Sequence, residues 1–174
     1  VASINRSDGD PAAAYTVMVF VQLKNGLLSA VARRPTGIPA ANQMPVILAD
    51  LDHTNGLDVV VGWPGGVVRL LSDPNNILGP PQGFLTNESA TVLAPVDIKG
   101  DGNVDVVSLA WAPSGRTYFS DGHGDLSDSI RFNTTVGGYN KIAYRDFNGD
   151  QLIDVVVGSS QSPPPARSSA GSIA

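Results

Sequence analysis

No cysteine occurs in the 174 residues, which excludes a disulfide framework and any thiolate site. Cysteine-free domains exist inside and outside cells, so the compartment stays open. Glutamate occurs once, at Glu88, and lysine three times, while valine, glycine and proline are plentiful. Strong helix formers are therefore scarce and turn formers abundant, and a mostly helical protein is excluded. No apolar run approaches the roughly 18 residues needed for a membrane span; the run at 12–21 is short and contains Tyr15 and Thr16. Two histidines without cysteine give no zinc site. The net charge of −5 disfavours a phosphate backbone, so no nucleic-acid partner is expected.

What is abundant is aspartate, 15 of the 16 acidic residues, and it is patterned. Three segments align without gaps. The first is Asp50-Leu-Asp52-His-Thr54-Asn-Gly56-Leu-Asp58, running into Val59-Val-Val-Gly62. The second is Asp97-Ile-Lys99-Gly-Asp101-Gly-Asn103-Val-Asp105, running into Val106-Val-Ser-Leu109. The third is Asp146-Phe-Asn148-Gly-Asp150-Gln-Leu152-Ile-Asp154, running into Val155-Val-Val-Gly158. Each follows a short apolar stretch (45–48, 92–96, 142–144), and the loops start 47 and 49 residues apart. That spacing suits the roughly 40–50-residue period of propeller repeats.

Further β segments are expected at 66–71 and 116–120, closed by turns at 73–76 and at Asp121-Gly-His-Gly-Asp125. A hairpin is expected over 16–33 with Lys24-Asn25-Gly26 at its tip. The expected fold is all-β: about three and a half propeller blades of four-stranded antiparallel sheets, part of a larger propeller. Residues 1–44 read as a degenerate N-terminal blade whose loop, 5–10, binds nothing. Residues 45–91 and 92–140 read as blades with ion loops at 50–58 and 97–105. Residues 141–158 make a half blade with its loop at 146–154, and 159–174 a Ser/Pro-rich linker or disordered tail. A seven-bladed ring would need about 330–345 residues, so the rest of a longer chain or a second copy must complete it, unless the blades close differently. Pairing of 142–158 with the hairpin 16–33 is one way to close it.

Oxygen-bearing side chains at the first, third, fifth and ninth loop places can converge on one centre, and the seventh place can add its carbonyl. The candidate ligands are Asp50, Asp52, Thr54, Gly56 and Asp58; Asp97, Asp101, Asn103 and Asp105; and Asp146, Asn148, Asp150, Leu152 and Asp154. Hard, partly anionic oxygens in a flexible loop suit Ca²⁺ better than Mg²⁺. Two or three ions are expected, with the third loop ranked first and the second last. In the second loop Lys99 stands where an oxygen belongs, so its ammonium either replaces part of the ion's charge or swings away. An EF-hand is excluded, because the twelfth residues are Val61, Ser108 and Val157 rather than glutamate.

The motif resembles the FG-GAP or VCBS repeat family, the Ca²⁺-loop blades of integrin-α-like β-propellers. The second and third loops with their following strands carry it best, and Gly62-Trp-Pro64-Gly-Gly66-Val-Val matches the family's strand-pair pattern. The resemblance covers residues 45–158 well and 1–44 weakly. It implies that each loop joins the first two strands of a blade and that Ca²⁺ pins this hairpin at one rim. It also implies an extracellular, secreted or cell-surface adhesion module that binds protein or glycan at a propeller face.

No nucleophile motif, P-loop or dinucleotide fingerprint occurs, so a non-catalytic module is expected. The alternative is a carbohydrate-active enzyme or its accessory domain, lectin-like or a polysaccharide lyase or hydrolase. Trp63 and Trp111 occupy nearly the same repeat position, and packing between blades is expected over sugar stacking. The cluster at 121–125 reads as a turn, and His53 as a solvated surface residue. Asn5, Asn87 and Asn133 open glycosylation sequons. Nine of the 15 aspartates fall in the loops, so the acidity is local repulsion that a hard cation relieves.

Overall fold

The computed structural model describes residues 2–5, 15–38, 44–75, 77–135 and 137–160. Thirteen strands make four separate antiparallel sheets, and no helix occurs among the described residues. β1 (Ala2–Asn5), β2 (Thr16–Gln22) and β3 (Leu28–Pro35) form the first, in chain order. β4 (Val46–Ala49), β5 (Asp58–Trp63), β6 (Gly66–Leu70) and β7 (Gln82–Leu85) form a four-stranded meander. β8 (Val92–Val96), β9 (Asp105–Leu109), β10 (Ser114–Phe119) and β11 (Asp128–Asn133) form a second one. β12 (Tyr139–Arg145) and β13 (Asp154–Ser159) form a two-stranded sheet. The all-β expectation holds. Each of the three Asp loops joins the first and second strands of its sheet.

Alternation along β5 explains how the sheets stack. Val60, with Val67 of β6, faces one core that also holds Leu93, Val106 and Tyr118 of the third sheet and Leu126 from the connection between β10 and β11. Val59 and Val61, with Val68 and Leu70, face a second core shared with Val17 of the first sheet. Period-two alternation thus buries both faces of β5, which is why its sequence is a continuous valine run. The first strands lie side by side, β1 against β4, β4 against β8, and β8 against β12.

The same Asp-Val-Val-Val-Gly sequence meets a different environment in β13. Val156 is 48 % exposed, whereas Val60 and Val107 are at most 1 % exposed. Among the described strands β12 and β13 pair only with each other. The expected pairing of 142–158 with the hairpin 16–33 is therefore not made there. Most of the expected loop at 5–10, the first sequon's Arg6 and Ser7, and the tail from residue 161 lie outside the described residues.

Candidate metal centre

The backbones of the three loops share left-handed turns at two places, and the first loop adds Gly56 at the seventh, with φ +102°. Left-handed residues stand at the fourth and sixth places: His53 and Asn55, Gly100 and Gly102, Gly149 and Gln151. These φ values, +56° to +88°, are where glycine is cheapest. Gln151 at +71° is the misfit of the third loop. Gln151→Gly is expected to stabilise the chain by about 0.5–1 kcal/mol, the strain relieved exceeding glycine's added unfolded-state entropy. Urea unfolding checks this; a destabilised variant would refute the strain argument.

The ninth-place aspartates are clamps. Asp58 Oδ2 accepts the Leu51 N–H (2.9 Å) inside the loop, and its Oδ1 accepts the Ser72 N–H (2.8 Å) just past β6. Asp105 does the same with Ile98 (3.1 Å) and Ser120 (2.9 Å), just past β10. Both aspartates are fully buried. Asp154 Oδ2 accepts the Phe147 N–H (2.9 Å) in the third loop, where no third strand follows among the described residues. The partner positions were missed from sequence, although a repeated signal existed: Ser72-Asp73 and Ser120-Asp121. Asp73 and Asp121 then each accept two N–H groups in the following turn, so 121–125 is a turn, as expected.

Burial dominates the titration of the clamps and raises both Asp58 and Asp105 above the ordinary carboxylate value of 3.8, despite their N–H donors. For Asp105 the sign follows directly. A carboxyl easier to protonate when folded favours the folded state in acid, and this contribution is lost as pH rises from 3.8 through the raised value. Asp105→Asn is expected to lack that component of the stability–pH profile in chelator. An unchanged profile would refute the assignment.

The first loop gathers charge. Ligand oxygens of Asp50, Asp52 and Asp58 lie within 4.8 Å of one another, the one such trio of acids among the described residues. Asp50 Oδ1 is buried and accepts no hydrogen bond. Asp52 Oδ1 accepts from the Thr54 N–H and Thr54 Oγ1, both 2.9 Å away.

The second loop carries its own counter-ion for one of its three aspartates. Lys99 Nζ lies 3.0 Å from Asp101 Oδ2 and donates to the Ser120 carbonyl at 3.3 Å. The bond to Asp101 raises the Lys99 ammonium above its usual value; the Asn103 N–H, then Lys99, lower Asp101. In the third loop Asp146 accepts from the Gly149 and Gln151 N–H groups, and the Asn148 amide donates to Asp150. Three acids converge in the first loop, and no such trio occurs in the third among the described residues.

His53 is exposed, as expected, and its Nε2 also lies 3.0 Å from Asn103 Oδ1, which links the first loop to the second. Trp63 is half-buried against the core between the first two sheets, as packing requires, while Trp111 is 55 % exposed. No protein-family model, curated protein or solved structure matches the chain.

Proposed function

We propose that the chain is a Ca²⁺-stabilised, non-catalytic segment of an extracellular β-propeller that binds protein or glycan. The observation that carries the metal reading is Asp50 Oδ1, a buried anionic oxygen without a donor, beside Asp52 and Asp58. Leaving such an oxygen unpaired is costly, and a hard cation is the partner that this donor set fits. Asp50, Asp52 and Asp58 would hold the ion, with Thr54 Oγ1 and the Gly56 carbonyl as neutral donors. Bound there, Ca²⁺ supplies charge neutralisation at the junction of β4 and β5. The propeller reading is supported by the sheet order, by the first strands lying side by side, and by a loop of the same register in three sheets. The adhesion class and the extracellular setting follow from the FG-GAP resemblance alone.

Calorimetry with CaCl2, with melting in Ca²⁺ and in chelator, tests the metal reading. At about 100-fold excess over Kd, each ion should raise Tm by roughly 5–10 °C. Asp50→Asn should abolish the first-loop share. No heat and no shift would end the proposal.

The exposed Trp111 favours glycan over protein as the ligand, because a solvent-facing indole can stack on a sugar ring. Trp111→Ala should remove binding on a glycan array while leaving Tm within about 1 °C. Retained glycan binding would exclude the indole as the platform.

A further inference from the structure

The geometry points to Lys99 as a tethered counter-ion, whose ammonium offsets the Asp101 charge from within the second loop and helps keep it closed without a metal. The comparison among loops carries this. In every loop the third- and fifth-place side chains are bonded at nearly one distance: Asp52 with Thr54 at 2.9 Å, Lys99 with Asp101 at 3.0 Å, Asn148 with Asp150 at 3.0 Å. The third place is negative, positive and neutral in turn, while the fifth is neutral Thr54 in the first loop and aspartate in the other two, so only in the second loop does the pair carry opposite charges.

The ammonium is held from three directions. It meets Asp101 Oδ2, donates to the Ser120 carbonyl, and lies 5.4 Å from the centroid of the Phe119 ring. An anionic oxygen, a carbonyl and a ring face are partners that suit a small cation. Ser120 is also the residue whose N–H Asp105 accepts, so Lys99 ties the loop to the end of β10 a second time. The other acids of this loop are occupied as well: Asp97 accepts from the Asp101 and Gly102 N–H groups, and Asp101 Oδ1 from Asn103. No buried orphan like Asp50 Oδ1 is found in it among the described residues. A divalent ion arriving here would meet a positive charge at the third place.

The position of this loop gives the device its consequence. His53 joins it to the first loop, and a hollow of about 260 Å³ lined by Asp97, Lys99, Gln151 and Ile153 separates it from the third. A loop insensitive to metal therefore lies between two that lack an internal cation. When Ca²⁺ is withdrawn, the second and third sheets stay docked while the outer loops loosen.

This rests on the metal reading above only for its comparison with the first loop. CaCl2 titration of the full chain tests it in four forms: unaltered, Lys99→Asn, Lys99→Arg, and Asp97→Ala. Lys99→Asn, which puts an oxygen in the third place, should bind one more equivalent than the unaltered chain. Lys99→Arg and Asp97→Ala should bind the same number. An unchanged count in a Lys99→Asn chain that keeps its circular dichroism overturns the assignment, as does a lost equivalent in Asp97→Ala. Lys99→Gln replaces Lys99→Asn should the latter not fold. If the first-loop reading is wrong, the unaltered chain binds nothing at that loop, yet the gain in Lys99→Asn is still read.

Discussion

Asp105→Ala is expected to cost about 2–4 kcal/mol in chelator, and Asp58→Ala about the same. Each substitution strands two backbone N–H groups: Ile98 and Ser120 in one case, Leu51 and Ser72 in the other. The carboxylates are fully buried, so water cannot replace them without opening the loop. Each stranded donor costs about 1–3 kcal/mol, and the relieved burial of a charge returns part of that. Asp154→Ala should cost only about 1 kcal/mol, because one N–H, from Phe147, is given to Asp154 in a half-exposed setting. Urea unfolding with chelator present separates this clamp from any metal effect. If all three variants lose stability only in Ca²⁺, the ninth aspartate acts through the ion alone and the clamp argument is wrong.

The loops were legible because their spacing recurs, and the strands after them because valine runs persist through β5, β9 and β13. The ninth aspartate was read as a ligand; its work as a clamp was hidden, since its second partner lies 14 or 15 residues later at Ser72 and Ser120. The fourth strands were also invisible. β7 begins after Pro80-Pro81 and carries Gly83, while β11, Asp-Ser-Ile-Arg-Phe-Asn, alternates weakly and is half-exposed. Such outer strands are held by pairing with β6 and β10 rather than by their own apolar pattern. The first loop was ranked below the third because Thr54 lacks a charge. The trio of acids in the first loop includes Asp52, where the third loop has Asn148 and the second Lys99.

Gly66→Ala is expected to cost about 3–5 kcal/mol, a large effect for a single added methyl group. Gly66 opens β6 with φ at +137°, a region that costs a side-chain-bearing residue about 1–3 kcal/mol. A Cβ there would sit 2.2 Å from the Phe84 carbonyl oxygen, which is backbone and cannot rotate aside. Relief requires β7 to move from β6, and the register Gly66↔Leu85, Val67↔Phe84 would open from that end. Phe84 belongs to the core between the second and third sheets, so the displacement unpacks that core as well. Against a total stability of about 5–15 kcal/mol, this is enough to populate unfolded chain at ordinary temperatures. Gly83→Ala, on the facing strand, is the control: its added Cβ meets nothing nearer than 3.5 Å, and it should be neutral or stabilising by up to about 1 kcal/mol. Thermal melting of the pair decides the matter. A Gly66→Ala chain that melts with its Gly83→Ala counterpart would mean that β6 and β7 do not approach as closely as the structure has them.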